Sequence, residues 1–283
     1  MLPKKPSYTA MHVASWRATH QLLDDPRVLD DPLALRILGE REARRLRRRT
    51  LLEQNPWSGS ARAFVAARSR FAEEELSRSL ARGVTQYVIL GAGLDTFAYR
   101  NPYGSALRVF EVDHPMTQAW KRARLAEAGI AVPPTLSYAP TDFEREGLAE
   151  GLENAGFSRD APTFFSWLGV TMYLTLAAFD TTLAFIASTP AGGGVAFDYM
   201  LPLASLPFFE RMVISLMAHV AAMIGEPFRT QFDPPDVRAH LEGVGLRNVV
   251  DLGRCAINDR YFADRRDDLR VLTDQAHVLS AEV

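Results

Sequence analysis

Two glycines and a set of acids carry the most telling chemistry in this sequence. Gly91 and Gly93 lie in Val88-Ile89-Leu90-Gly91-Ala92-Gly93-Leu94-Asp95-Thr96, where a β-branched apolar run turns straight into a glycine-containing loop. Glycine reaches backbone angles closed to other residues and lets a ligand approach the main chain. In a doubly wound sheet such a turn lies at the carboxyl edge, where ligands bind. The next apolar run ends in Glu111-Val112-Asp113, about twenty residues on, where a carboxylate can accept both hydroxyls of a ribose. Turn and acid at this offset point to an adenosine-containing ligand. The plainer alternative is an ordinary strand-to-helix turn with a surface acid beside it.

The loop also says which adenosine ligand to expect. A dinucleotide fingerprint asks for a small residue three places after the second glycine, and Thr96 stands there. Asp95 would set a negative charge where a pyrophosphate must lie. S-adenosylmethionine carries no phosphate, and its sulfonium and ammonium groups tolerate nearby acids, so the loop favours it over NAD(P). A third acid, Asp142, follows another apolar run and is expected at an adenine amino group, with Phe143 stacked on the ring. As an alternative, Asp142 simply caps the next helix.

Positioning these residues calls for a mostly parallel sheet. Short apolar runs at 84–90, 107–112, 136–139, 163–167 and 194–199 read as strands, the first of them buried on both faces. A late strand is expected at 248–252, and a last one, unmarked in its bounds, after Leu269. Helices are expected at 115–128, 176–188, 206–224 and 236–243. Residues 1–82 read as a helical cap, clearest at 61–81, where Phe64, Val65, Arg68, Phe71, Leu76 and Leu80 recur at helical spacing until Gly83. The expectation is an α/β fold: one domain over 1–283, a Rossmann-like core at 83–283 with a seven-stranded sheet and helices on both faces. A helical lid near 205–225, carrying Phe208, Phe209, Met212 and Met217, is expected over a pocket that Tyr173 and Tyr199 enter from strand ends. The same apolar residues could equally be core.

The chain resembles the leucine carboxyl methyltransferase family, above all its bacterial branch of S-adenosylmethionine-dependent methyltransferases, which includes polyketide carboxyl O-methyltransferases. The likeness runs through Thr9-Ala10, Arg17-Ala18, Asp30-Asp31-Pro32-Leu33-Ala34 and Ala67-Arg68-Ser69-Arg70-Phe71. It continues through the glycine loop, Phe110-Glu111-Val112-Asp113-His114-Pro115, Asp142-Phe143-Glu144 and Gly169-Val170-Thr171-Met172-Tyr173-Leu174. The resemblance implies a class I methyltransferase fold and S-adenosylmethionine as cofactor. It implies Arg68 at the cofactor's carboxylate, Gly91 under its amino-acid portion, Asp113 at the ribose, and Asp142 with Phe143 at the adenine; Gly93 and Asp95 of the loop are expected at the cofactor as well. Tyr8, His12 and Arg17 are implied to close over a small-molecule acceptor, a carboxylate or a hydroxyl. A carboxylate acceptor, with a pKa of about 4, needs no general base, and no catalytic residue is assigned. One departure stands out: the family pattern reads Trp-Glu-Gly where this chain has Trp167-Leu168-Gly169. A cofactor-binding relative without catalysis is therefore a second alternative, beside an NAD(P)-dependent oxidoreductase.

Bulk properties narrow the field. A formal net charge of -2 gives no general pull toward nucleic acid or an anionic membrane. The run Arg44, Arg45, Arg47, Arg48 and Arg49 has acidic neighbours and reads as a solvated helix face. The single Cys255 excludes an intrachain disulfide, suits a reducing cytoplasm and is expected to be an inert buried thiol. The six histidines lack metal-helix spacing, no secretory leader is expected, and no apolar run reaches the ~20 residues of a membrane span.

Overall fold

In a computed structural model the chain is described over residues 8–49, 55–142, 147–223 and 225–283. Seven strands form one sheet: β1 (Gln86–Leu90), β2 (Arg108–Asp113), β3 (Leu136–Pro140), β4 (Thr163–Trp167), β5 (Gly194–Met200), β6 (Arg247–Leu252) and β7 (Ala276–Glu282). Their order is β3-β2-β1-β4-β5-β7-β6. All pairings are parallel except those of β7, which runs antiparallel to both β5 and β6. Every residue of β1, β4 and β5 is buried, as expected of strands covered on both faces. The order reverses between β1 and β4, which leaves a crevice at their carboxyl ends.

Strand alternation divides the core in two. Val88, Leu90, Phe165, Trp167, Phe197 and Tyr199 face one side and pack with Phe179 and Phe232. Tyr87, Ile89, Phe164 and Ala196 face the other and pack with Phe71 and Leu76. The N-terminal helices are α1 (Tyr8–Leu23), α2 (Ala34–Ile37), α3 (Gly39–Arg49) and α4 (Pro56–Ala81). α4 starts at Pro56 with the Asn55 side chain accepting the Ser58 N–H at 3.0 Å, and the chain leaves it through Gly83 at φ +99°. The described arginine side chains of α3 are exposed, and Arg44 pairs with Glu40 and Arg45 with Glu42.

The remaining helices are α5 (Pro115–Glu127), α6 (Leu148–Asn154), α7 (Leu176–Ala187), α8 (Phe208–Met223), α9 (Pro234–Gly243) and α10 (Arg254–Tyr261). Most expected elements appear with ends moved by a residue or two; the helix expected at 61–81 starts five residues earlier, at Pro56, and the unbounded last strand is β7. α6 and α10 were not expected, because each is short and held by few apolar anchors: Leu148 and Leu152 in α6, Ile257 in α10. The burial expected of Cys255 is corrected, since it is exposed near the start of α10. Among the described residues no helix is long and apolar enough to cross a membrane.

One buried charge pair ties β2 to α5. Glu111 and Lys121, each 1% exposed, lie 2.8 Å apart, with the Tyr99 hydroxyl donating to Glu111 at 3.3 Å. Burial pushes the Glu111 carboxyl up to about 7, against the pull of the Lys121 ammonium. Removing Lys121 takes away the cation that opposes burial of the Glu111 carboxyl, which must then take up a proton or stay as a buried charge. Lys121→Met should destabilise the protein by ~3–5 kcal/mol in chemical denaturation, and Glu111→Leu/Lys121→Met should recover most of that loss. A raised carboxyl pKa means that the folded state holds a proton the unfolded chain has released. This contribution to stability is complete below pH 4.5 and is lost as pH rises toward about 7. Glu111→Gln should flatten that part of the stability–pH curve; an unchanged slope would assign it to another group.

Candidate functional site

The loop after β1 is built by its neighbours. The N–H groups of Gly91 and Ala92 both donate to Val112 O, at 2.8 and 3.1 Å. Asp113 Oδ2 accepts the Gly93 N–H at 2.5 Å, and its Oδ1 accepts the His114 N–H at 2.7 Å. Gly91 sits at φ +67°, where a Cβ would also overlap the Val170 side chain. At Gly93, φ +46°, a Cβ would come within 3.2 Å of Ala10. A side chain at 91 would have to displace Val170, and one at 93 would be strained and crowded. Burial pushes the Asp113 carboxyl up, although the two N–H donors oppose it.

Asp95 continues the loop. Its Oδ1 accepts the Phe97 N–H at 2.7 Å, and Arg17 from α1 reaches its Oδ2 at 3.3 Å. Arg17 also donates to Leu94 O at 2.5 Å and pairs with Asp31 at 2.8 Å. Asp31 in turn accepts from the Thr96 hydroxyl at 2.6 Å. Burial raises the Asp95 carboxyl, yet the cations of Arg17, Lys121 and Arg100 outweigh it and hold the group below the usual range. Arg17 thus clamps α1 to the loop.

Across the crevice, Arg68 of α4 is 7% exposed and meets Asp198 of β5 at 2.5 Å. The second oxygen of Asp198 accepts the Gly169 N–H at 2.5 Å. These residues line a cavity of about 800 Å³, together with Gly91, Gly93, Asp95, Asp113 and Asp142. Asp142 stands at its rim, 3.8 Å from the His114 ring. Tyr173 enters the same cavity; burial, with the nearby Glu226 charge adding, pushes its hydroxyl up to about 12. Glu226 accepts a 2.6 Å hydrogen bond from Thr9, which links α1 to the segment after α8. His12 lines the wall and meets the Trp16 ring edge-on at 4.5 Å.

Three expected pocket residues lie elsewhere. Tyr199 is corrected to the opposite face of β5, where its hydroxyl donates to Asp251 at 2.7 Å and meets His277 at 3.2 Å. Neighbours on a strand point opposite ways, so Asp198 facing the cavity excludes Tyr199. Phe208 and Met212 point outward from α8, 74% and 54% exposed, while Val213 lines the cavity and Ile214 is buried. Phe143, like the side chains of Tyr8, Phe209 and Met217, falls outside the described residues. Leu168 packs against the cluster around Phe71 while also lining the cavity. The sequence reading missed Asp198 and Glu226; a lone acid in the apolar run Val195-Ala196-Phe197-Asp198-Tyr199 was the available signal for the first.

Known proteins resemble this chain in sequence and in fold. A family model described as leucine carboxyl methyltransferase matches residues 10–187. The chain is 32% identical, over 95% of both sequences, to Bacillus subtilis YktD, to which S-adenosyl-L-methionine-dependent methyl transfer is attributed. In structure it is similar to an attributed methyltransferase from Thermobifida fusca, with TM-score 0.59, 16% identity and coverage of 99% of this chain and 96% of that one. A DUF574 family protein from Streptomyces avermitilis superposes with TM-score 0.54 at 13% identity, over 95% and 96% of the two chains. These two share the fold. With the glycine loop, Asp113 and Asp142 all inside the matched segment, and one relative aligned nearly end to end, the chain belongs to the leucine carboxyl methyltransferase family.

Proposed function

We propose that the protein is an S-adenosylmethionine-dependent methyltransferase that methylates an oxygen, carboxylate or hydroxyl, of a small metabolite. The charge of the cavity carries this reading. Its lining holds the carboxylates of Glu73, Asp95, Asp113, Asp142, Asp198 and Glu226 against the guanidinium groups of Arg17, Arg68 and Arg229. Such an excess of acid suits a phosphate-free nucleoside with cationic groups and opposes a pyrophosphate, which disfavours a nicotinamide dinucleotide. Gly91 and Gly93, both at positive φ, let the loop turn tightly at the cavity wall.

On this reading Asp113 accepts the ribose hydroxyls through the lone pairs that Gly93 and His114 leave available. Asp142 stands ready for the adenine amino group, and Arg68 for the cofactor's carboxylate. The cofactor, when bound, supplies an activated methyl group. The chain's share is to orient acceptor and donor and to keep water out, which can lower a barrier by ~7 kcal/mol or more. The acceptor side is walled by His12, Trp57, Phe64 and Tyr173, mostly from the N-terminal helices. A carboxylate acceptor arrives ionised at neutral pH, and none of these groups then has to remove a proton.

Calorimetric titration tests the cofactor. S-adenosylmethionine and S-adenosylhomocysteine should bind, NAD should not, and Asp113→Ala should weaken the sulfur nucleosides at least ~100-fold through lost charge-assisted hydrogen bonds. Tight NAD binding without them would sink the reading. Transfer of a labelled methyl group to a panel of small carboxylic acids and phenols tests the reaction. Label that mild base releases as methanol marks a methyl ester; label that resists base marks an ether. Transfer to nitrogen or carbon alone would refute O-methylation, and cofactor binding without any transfer would favour the non-catalytic alternative.

A further inference from the structure

We propose that Asp198 is a positioning residue that aims Arg68 at the carboxylate of an α-amino-acid group and so gives the cavity its preference for a nucleoside bearing one. This rests on the cofactor reading above. Asp198 is 1% exposed and projects from the end of β5 toward α4. One of its oxygens takes Nη1 of Arg68 and the other the Gly169 N–H, both at 2.5 Å. Its backbone carbonyl accepts the Thr171 hydroxyl at 2.6 Å. A single carboxylate thus sets both the cation and the turn after β4 that faces it.

Nε of Arg68 is buried and has no hydrogen-bond partner, although the residue lines the cavity. A buried donor without an acceptor is costly and rare. A guanidinium whose Nη1 is already held by Asp198 has Nη2 left for a ligand carboxylate, and Nε joins it as a parallel pair only if the side chain shifts to uncover it. Gly169 lets the turn pack close on the guanidinium: it sits at φ +73°, and a Cβ there would lie 2.9 Å from Arg68 Nη2 and 3.2 Å from Nη1. Asp198 also balances the arginine's charge, so the site holds an ion pair rather than a bare cation. That suits an amino-acid end, which carries both signs, better than a phosphate.

The discriminating probes are S-adenosylhomocysteine, which has the amino-acid end, and 5′-methylthioadenosine, which lacks it. Wild type should prefer the first. Asp198→Asn should weaken S-adenosylhomocysteine by ~10- to 100-fold while leaving 5′-methylthioadenosine within about twofold, the loss expected for a misdirected charge-assisted pair. Arg68→Lys, which keeps the charge but not the fork, should show the same selective loss. Equal weakening of both ligands would make Asp198 merely structural, and an unchanged preference would overturn the proposal outright. If Asp198→Asn does not fold, Arg68→Gln/Asp198→Asn removes both charges together. That variant should bind the two ligands alike, and a retained wild-type preference would defeat the idea. Wild type binding neither nucleoside overturns the cofactor reading, and this proposal with it; binding both without preference overturns the proposal alone.

Discussion

The site depends on one hydrogen bond, from the Gly93 N–H to Asp113. It joins the loop after β1 to the end of β2, and two further N–H groups of that loop reach Val112 O beside it. Parallel neighbours bring those ends to one edge of the sheet, but pairing alone would leave the loop free to choose its path. The carboxylate removes that choice. Because its acceptor directions exceed the two N–H groups it already holds, the residue that shapes the loop can also meet a ligand. Glycine at 91 and 93 follows, since a side chain at 91 would strike Val170 and one at 93 would crowd Ala10.

A second constraint is charge balance in a dry interior. Arg17 answers Asp31 and Asp95, Arg68 answers Asp198, Lys121 answers Glu111, and Arg100 answers Glu73. The Arg17–Asp95, Arg68–Asp198 and Arg100–Glu73 pairs fasten α1 and α4 to the strand ends and the loop after β1. Buried pairs add little net stability, but breaking one is costly. Their effect is to set where α1 and α4 sit over the sheet. With Arg17 and Arg68 each held by an internal acid, the cavity keeps its negative excess for whatever enters it.

Much of this was legible in the sequence, for reasons that differ by residue. The strands were legible because β1, β4 and β5 are buried on both faces and so read as unbroken apolar runs. The glycine loop and Asp113 were legible because backbone freedom and a fixed offset leave a local trace. Asp198 was not: its role depends on Arg68, 130 positions away. Choosing Tyr199 in its place was an error of one residue, which on a strand reverses the face. Phe208 and Met212 failed differently. Apolar spacing on α8 marks an apolar face but not which way it turns, and here Val213 and Ile214 face inward. α6 and α10 had too few apolar anchors to register at all.

The two halves of the cavity also differ in what can vary. The glycine loop, Asp113 and the Gly169 turn come from strand ends, where a shifted backbone would disturb sheet pairing and the core beneath it. The opposite wall comes from α1, the first turns of α4 and the segment at 225–229, which meet the sheet mainly through side chains. Changes at His12, Trp57 or Glu226 alter the shape and charge of that wall without touching a strand. On the proposed reading, the cofactor half is bound to the fold and the acceptor half is not. Acceptor identity should then follow the N-terminal helices and the Thr9–Glu226 hydrogen bond that links them to the end of α8, rather than anything in the sheet.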